Sequence, residues 1–280
     1  MAELRNIKWS KLLKDLTAKE SLGALVKSRS LQWALTTAFR KQGYMLIDDL
    51  EDLVLEYKGV KFHPDLINYP RMFEAWSRYD IEGIREGDRV LDVGANIGSF
   101  TLPAILRGAN VVAVEPLFHE GLYRNILLNE FSNYEIINKG IGLGGRKVVD
   151  CQECSGEVDC IPPHELEGKY DVVRLDCGGE EKDCLTALVE GYWRKPRQLE
   201  VEFHFLTGEQ RRGSWMGEFL VWGIWKDWLI SEGYGYIARW SKHRHWMYLS
   251  ANLERKARKE VQLTDGSFRG RSLELWKGLV

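Results

Sequence analysis

A glycine-containing turn after a short apolar run is the feature of this sequence with the clearest chemical implication. Residues 89–93 (RVLDV) are typical of a buried parallel strand, and the following GANIGSF predicts a turn and the start of a helix. Gly94 lets the backbone approach a ligand, Asn96 tolerates an unusual backbone conformation, and Gly98 allows the helix to pack closely. Because ligands of doubly wound folds bind beyond the carboxyl ends of strands, this turn is a candidate binding site.

Two carboxylates indicate what the turn binds. Asp92 lies just before the turn, and Glu115 ends the second predicted strand, NVVAVEP. A carboxylate at the position of Glu115 accepts hydrogen bonds from ribose hydroxyls, whereas one beside the turn suits a cationic amino-acid tail better than a pyrophosphate. S-adenosylmethionine combines a ribose with such a tail, and the sequence predicts it as the ligand. A dinucleotide is an alternative, although the glycine spacing departs from G-x-G-x-x-G, and a turn without any ligand is another.

Polar side chains on two later strands form a second candidate group. Asp176 ends the fourth predicted strand, and period-two alternation places Glu200, Glu202 and His204 on one face of the fifth. If S-adenosylmethionine acts here as a methyl donor, Asp176 is placed to orient the methyl acceptor or to hold the ammonium group of the donor. We predict His204 as the general base because it titrates near neutral pH, with Asp176 and Glu202 as alternatives. A buried histidine without catalytic role and a Mg²⁺ or Mn²⁺ site formed by Asp176, Glu202 and His204 are further interpretations.

A cysteine-rich stretch offers a separate constellation. Cys151, Cys154, Cys160 and His164 match a known kind of zinc-ligand set, although the pairs lie closer together than in the usual finger. The chain has 5 cysteines, an odd number, and it is too long to need disulfide staples. We therefore predict free thiols in a reducing cytoplasm and no metal, with zinc as the alternative.

An α/β scaffold positions these residues. From residue 89 onward, short apolar runs alternate with helical stretches, which is typical of a doubly wound, mostly parallel sheet. The runs YGYIARW and HWMYLSA follow each other without a helix, and they predict a terminal hairpin with one antiparallel strand. Trp222, Trp225 and Trp228 recur every third residue of a predicted helix, and we expect them in the core rather than at a ligand.

Composition and charge bound the class of protein. The 280 residues are 44% hydrophobic and 29% charged, which suits a globular protein with a sizeable core. The net charge of −2 argues against a dedicated nucleic-acid coat, and no apolar run reaches the length of a membrane span. We predict a cytoplasmic protein with three parts: a helical and hairpin extension over 1–69 that covers the donor site, a catalytic domain over 70–251, and a basic tail over 252–280.

The sequence also resembles a known family. Asp92 to Gly98 (DVGANIG), Val114-Glu115-Pro116 and the stretch from Asn125 to Asn129 are similar to the FkbM-type methyltransferases of the class I S-adenosylmethionine-dependent fold. The resemblance covers roughly residues 70–250. It implies the seven-stranded, Rossmann-like methyltransferase sheet, S-adenosylmethionine as donor, and usually a hydroxyl acceptor on a sugar or small metabolite. The ligand positions of the family carry over to Asp92, Gly94, Asn96, Gly98 and Glu115.

One segment departs from the family pattern. The family usually has Lys-Ile-Asp-Val-Glu-Gly-x-Glu after the fourth strand, whereas residues 174–181 read RLDCGGEE, with Gly178 in place of the first Glu. This indicates a different acceptor or an inactive member. We expect an O-methyltransferase for a sugar or small-molecule hydroxyl. The alternatives are transfer to a protein side chain or RNA, which the basic stretches favour, and a non-catalytic subunit that acts through protein contacts. We expect no membrane partner, and a homodimer is left open.

Overall fold

Strands and helices alternate along the chain, as the apolar pattern predicts. The computed structural model describes residues 45–46, 54–63, 74–150, 155–166, 168–204, 215–240, 246–254 and 259–263. A small antiparallel sheet comes first, and two strand–helix units follow it. The elements are β1 (Met45–Leu46), β2 (Leu55–Tyr57), β3 (Val60–Phe62), α1 (Glu74–Arg78), β4 (Arg89–Val93), α2 (Thr101–Leu106), β5 (Asn110–Val114), α3 (His119–Leu128) and β6 (Tyr134–Ile137).

The second part of the chain begins with short strands that lie outside the main sheet and then completes that sheet. Short 3-10 helices lie at Ile81–Gly83 and Pro163–Glu165. The remaining elements are β7 (Gly140–Ile141), β8 (Gly145–Asp150), β9 (Ser155–Ile161), β10 (Gly168–Lys169), β11 (Val172–Leu175), α4 (Glu181–Val189), β12 (Trp193–Arg194), β13 (Gln198–His204), α5 (Trp215–Ser231), β14 (Gly235–Trp240), β15 (Trp246–Asn252) and β16 (Lys259–Leu263).

The main sheet has the order β6-β5-β4-β11-β13-β15-β14-β16. The strands from β6 to β13 are parallel, whereas β15 runs antiparallel to both β13 and β14. Its first five strands in chain order thus follow the 3-2-1-4-5 arrangement of doubly wound folds, whose order reverses between β4 and β11. The predicted α/β fold, its seven mostly parallel strands and the terminal hairpin are confirmed. The eighth strand, β16, lies within the stretch that we predicted as a tail.

Helices cover both faces of this sheet, which explains why its central strands are apolar throughout. Val90 and Val172 face one side and belong to a core cluster with Leu102 of α2 and Leu122 of α3. The alternate residues of the same strands face the other side and pack with α4 and α5. Strands buried on both faces read as continuous apolar runs, as seen in the sequence.

The tryptophans of α5 belong to the core. Trp222 and Trp225 are buried and Trp228 packs against the same cluster, so their predicted core role is confirmed. The ring of Trp222 meets Phe203 and Tyr236 edge-on, with centroids 6.4 and 6.0 Å away. Among the described residues, no helix combines the length and the apolar character needed to cross a bilayer.

The N-terminal sheet attaches to the domain through Asn125 of α3 and through Asn129, the residue that follows this helix. The side chain of Asn129 accepts from Lys61 N at 2.8 Å and donates to Lys61 O at 2.7 Å, as a neighbouring strand would. The Oδ1 of Asn125 accepts from His63 N at 2.8 Å, while its Nδ2 donates to Ile97 O in the glycine turn at 2.9 Å. Asn125 therefore ties the turn to the small sheet, and this explains two of the positions that carry the family resemblance.

A buried carboxyl group lies in the middle of β13. The Oε1 of Glu200 accepts from Gln198 Nε2 and from Ser250 Oγ, both at 2.9 Å, whereas its Oε2 has no partner among the described residues. Burial raises the pKa of Glu200 to about 8, against the lowering effect of the two hydrogen bonds, and the charge of Asp80 adds to the rise. Glu200 is therefore a neutral acid in the folded protein near neutral pH.

Glu200→Gln is expected to stabilise the protein at alkaline pH. The folded-state pKa of Glu200 lies above its ordinary value of 4.5, so the folded state retains a proton that the unfolded chain loses. The free energy of unfolding of the wild type therefore falls as pH rises from about 4.5 to about 8, and glutamine, which does not ionise, removes that loss. We expect a gain of at least about 2 kcal/mol at pH 8.5 and little gain at pH 5.

Urea unfolding at the two pH values measures this effect. The exposed Glu135→Gln is the matched control, and it is expected to change the free energy of unfolding equally at both. An equal gain for Glu200→Gln at pH 5 and pH 8.5 would show that Glu200 is ionised in the folded state.

Candidate active site

The glycine turn after β4 lies against the end of β11. Gly94 has a left-handed backbone, with φ of +82°, and its N–H donates to Val114 O at 2.8 Å. A Cβ at this position would lie 1.8 Å from the carbonyl oxygen of Asp176. Asn96 is also left-handed, with φ of +52°. Glycine is thus required at 94 because two strand ends meet there, and the turn is brought next to the second candidate group.

Glu115 closes the turn from the end of β5. Its side chain accepts three backbone N–H groups, from Asn96 at 2.8 Å, Leu117 at 2.7 Å and Phe118 at 2.9 Å. Burial raises the pKa of Glu115, while these hydrogen bonds oppose the rise. A carboxylate has about four acceptor positions, so one is left for a ligand hydroxyl. Glu115 therefore shapes the turn as well as lying where a ribose would bind.

Asp92 has a cation beside it, but that cation belongs to the protein. Its side chain is fully buried and accepts from Thr101 Oγ1 at 2.6 Å and from Arg174 Nη1 at 3.0 Å. Burial raises the pKa of Asp92, and Arg174 and Thr101 counteract the rise. The place that we predicted for a ligand ammonium is taken by a guanidinium in this structure. Asp92 thus stabilises the turn through its contacts with Thr101 and Arg174.

Arg174 joins the two halves of the site, and sequence reasoning did not identify it as a site residue. Its buried guanidinium donates to the carbonyl of Gly94 at 2.7 Å, and it forms ion pairs with both Asp92 and Asp176. It also lies 3.4 Å from the hydroxyl of Tyr79. A single basic residue within the apolar run VVRL was the available signal. Its partner was not readable, because Arg174 and Asp92 face each other only through the register of β11 and β4.

Three of the candidate side chains, those of Asp176, Glu202 and His204, come together at the carboxyl ends of β11 and β13 and form what we call the carboxylate cluster. The Nε2 of His204 lies 3.7 Å from Asp176 Oδ1 and 3.7 Å from Glu202 Oε1. Tyr248 Oη donates to Glu202 Oε1 at 3.1 Å, and Arg78 Nη1 to Glu202 Oε2 at 3.2 Å. Two carboxylates and one imidazole thus face a common point.

Glu181, in the first turn of α4, orients His204. Its Oε1 lies 3.0 Å from His204 Nδ1 and also accepts from Cys177 N at 2.9 Å and Gly179 N at 3.0 Å. Because a carboxylate only accepts, Nδ1 carries the proton and Nε2 points to the other two carboxylates. The sequence comparison matched Glu181 to the family pattern without giving it a role. Its role is to fix the imidazole and the Gly178-Gly179 turn together.

The electrostatics of this cluster change the role expected of the histidine. Burial disfavours the imidazolium, but the hydrogen bond that His204 donates to Glu181 and the charges of Glu181, Asp176 and Glu202 outweigh it and raise the pKa of His204 to about 9. Burial and the charge of Asp176 raise the pKa of Glu202 to about 7, although nearby cations oppose this. A protonated imidazole does not accept a proton, so without a bound ligand Glu202 is better suited than His204 to act as a base.

The departure from the family pattern leaves open space beside Asp176. Gly178 and Gly179 have φ of +72° and +119°, and a Cβ at either position would meet no atom of the described residues within 4 Å. The glutamate that the family usually has in place of Gly178 would project into this space.

The predicted cysteine set is described only in part. Cys151 and Cys154 lie outside the described residues. Cys160 is buried in β9, whereas His164 is exposed and places its ring 5.5 Å from that of Tyr192. The zinc alternative and the free-thiol prediction for the full set both stay predictions.

Comparisons with known proteins give likenesses of architecture. No family model matches the sequence, and no curated protein matches it. Among solved structures, Trm5b from Pyrococcus abyssi is similar at 14% identity and a TM-score of 0.43, over 75% of this chain and 56% of that one. TYW2 from M. jannaschii, in complex with AdoMet, is similar at 17% identity and a TM-score of 0.42, over 74% and 87% of the chains. A precorrin-6y C5,15-methyltransferase from Geobacter metallireducens is similar at 14% identity and a TM-score of 0.35, over 60% of this chain and 81% of that one.

These values are too low to transfer a function. This chain spans little more than half the length of the first of these structures. The assignment of the fold therefore rests on the strand order and the reversal point between β4 and β11, not on these likenesses.

Proposed function

We propose that this protein is an S-adenosylmethionine-dependent methyltransferase of the FkbM type, which methylates a hydroxyl group of a sugar or small metabolite in the cytoplasm. One juxtaposition supports this most. The glycine turn and the carboxylate cluster meet where the strand order reverses, and Gly94 touches the backbone of Asp176. A doubly wound sheet binds its ligand at that point. A donor held by the turn then lies beside groups that can hold an acceptor.

The residues at the turn fit the donor. Glu115 has one acceptor position left for a ribose hydroxyl, and the left-handed residues Gly94 and Asn96 turn the backbone toward the ligand. The absence of side chains at Gly178 and Gly179 leaves room beside it. The ammonium of the donor would lie by Asp176, because the side chain of Asp92 is fully buried whereas that of Asp176 is 11% exposed. When bound, the donor supplies an already activated methyl group on its sulfonium.

The remaining task of the protein is to position the acceptor and to take its proton. Placing the acceptor oxygen in line with the methyl group supplies much of the rate enhancement for such a displacement. The carboxylates of Asp176 and Glu202 face the same point and can accept a hydrogen bond from the acceptor hydroxyl. Arg78 and the hydroxyl of Tyr79 donate to Oε2 of Glu202 and so hold this carboxylate in place.

Donor binding is the first test. We expect the full chain to bind S-adenosylmethionine and S-adenosylhomocysteine in calorimetric titrations with one site. Glu115→Gln replaces one carboxylate oxygen by an amide that cannot accept, so it is expected to weaken binding at least about tenfold, or about 1.4 kcal/mol. Glu135→Gln, which is exposed on β6, is the matched control and should bind as the wild type does. Thermal unfolding of each variant shows whether it is folded.

The acceptor is then identified by transfer of a labelled methyl group. Sugars and small hydroxyl compounds form one panel, and extracted protein and RNA form the other. Label only on small hydroxyl compounds supports the proposal, and label only on macromolecules supports the protein or RNA alternative. Donor binding without transfer to either panel, together with a stable partner protein, would support a non-catalytic subunit. No binding of either compound to the folded wild type would overturn the proposed donor site.

A further inference from the structure

The carboxylate cluster has the dimensions of a metal site. The Nε2 of His204 lies 3.7 Å from both Asp176 Oδ1 and Glu202 Oε1, and the three side chains offer ligand atoms that all lie within 4.8 Å of one another. These separations are compatible with one cation lying between the three ligand atoms. Among the described residues, this is the one such group of three or more side chains.

In each of these three side chains, a second polar atom is bound by a neighbouring residue. Glu181 accepts from Nδ1 of His204, which leaves Nε2 as the inward-facing atom. Arg174 holds Oδ2 of Asp176, and Arg78 holds Oε2 of Glu202. Metal-binding histidines commonly donate their second ring N–H to a carboxylate, and ligating carboxylates are hydrogen-bonded in turn. This arrangement of outer partners is the one expected around a metal.

The balance of charge around this point favours a divalent cation. Four carboxylates (Asp92, Asp176, Glu181 and Glu202) face three cationic groups, the guanidiniums of Arg78 and Arg174 and the imidazole of His204, as their ion pairs and short contacts show. The excess is one negative charge in a largely buried region. A divalent cation that takes the place of the proton on Nε2 of His204 would neutralise it. The path to solvent lies beside His204, whose side chain is 30% exposed, against 11% for Asp176 and 8% for Glu202.

We propose that Asp176, Glu202 and His204 bind one divalent metal ion of the Mn²⁺ type. Two hard carboxylate oxygens suit Mg²⁺ or Mn²⁺, and the imidazole nitrogen favours Mn²⁺ over Mg²⁺. Three protein ligands leave further coordination positions for water or for an acceptor oxygen. A cation at this point would polarise an acceptor hydroxyl and ease its deprotonation. That catalytic consequence rests on the proposed methyltransferase function, whereas the binding of the ion does not.

The test measures binding of Mn²⁺ alone, without donor or acceptor. The full chain is stripped with EDTA, and free Mn²⁺ is followed by its electron paramagnetic resonance signal during titration at pH 7.5. We expect one site, and we expect His204→Gln and Glu202→Gln each to weaken binding at least tenfold. Glu135→Gln, at an exposed position away from the cluster, is the matched control. Thermal unfolding without metal shows whether each variant is folded.

The outcomes separate this proposal from the proposed function. Equal Mn²⁺ affinity in the wild type and in both folded cluster variants would overturn the site, as would the absence of binding to the wild type. Binding that depends on the cluster, with no methyl transfer to any acceptor, supports the metal site and counts against the enzyme. Methyl transfer that EDTA does not affect, with no Mn²⁺ binding, supports the enzyme and overturns the metal site.

Discussion

Gly94→Ala is expected to lower the free energy of unfolding by more than about 4 kcal/mol, a loss that point substitutions rarely reach. Its added methyl group would lie 1.8 Å from the carbonyl oxygen of Asp176, which is backbone and cannot move aside without separating β4 from β11. The left-handed φ of +82° adds a strain of about 1–2 kcal/mol. We expect the melting temperature to fall by at least about 8 °C and donor binding to be lost.

Gly191→Ala separates the two causes of that loss. Gly191 has a similar φ of +85°, but a Cβ there would meet no atom within 4 Å in the part of the chain that the structure describes, so only the backbone strain applies. We expect a loss of about 1–2 kcal/mol and unchanged donor binding. Calorimetry or thermal circular dichroism of the two variants measures the difference. If both lose the same stability, the close approach of the turn to β11 is absent in solution.

Arg174→Met is expected to cost about 3–5 kcal/mol of stability, because it leaves a fully buried Asp92 without its cation. The carbonyl of Gly94 and the carboxylate of Asp176 lose the same partner. Arg174→Lys keeps the charge but cannot pair with Asp92 and Asp176 through two separate nitrogens, so we expect a smaller loss of stability. Lysine is the residue that the resembling family usually has here, and the comparison tests whether this chain depends on the guanidinium.

A double-mutant cycle assigns the loss to the ion pair. Combining Arg174→Met with Asp92→Asn removes the uncompensated charge, so the double variant is expected to be more stable than the sum of the single losses predicts, by at least about 1 kcal/mol. Chemical denaturation at pH 7 gives the four free energies. Additive losses would mean that Asp92 and Arg174 act independently.

The sequence by itself determined the local parts of this protein. Alternating apolar runs predicted the strands and helices, because a doubly wound sheet needs strands that are apolar on both faces. The turn after Val93 and the carboxylate at Glu115 were readable because each depends on residue type and on the position at a strand end. Period two placed Glu200, Glu202 and His204 on one face of a strand, and the partners Ser250 and Tyr248 lie on that face.

The tertiary structure decided which of these groups meet. Arg174 reaches Asp92 because β11 and β4 are neighbours in one register, although they are far apart in the sequence. Glu181 reaches His204 because α4 begins beside the end of β13, and this contact contributes to the raised pKa of the histidine. Likewise, β16 joins the sheet at its edge, in a stretch whose sequence reads as a charged tail. Hydrogen bonds and burial between distant segments set these properties, and the periodicity of a single segment carries no information about them.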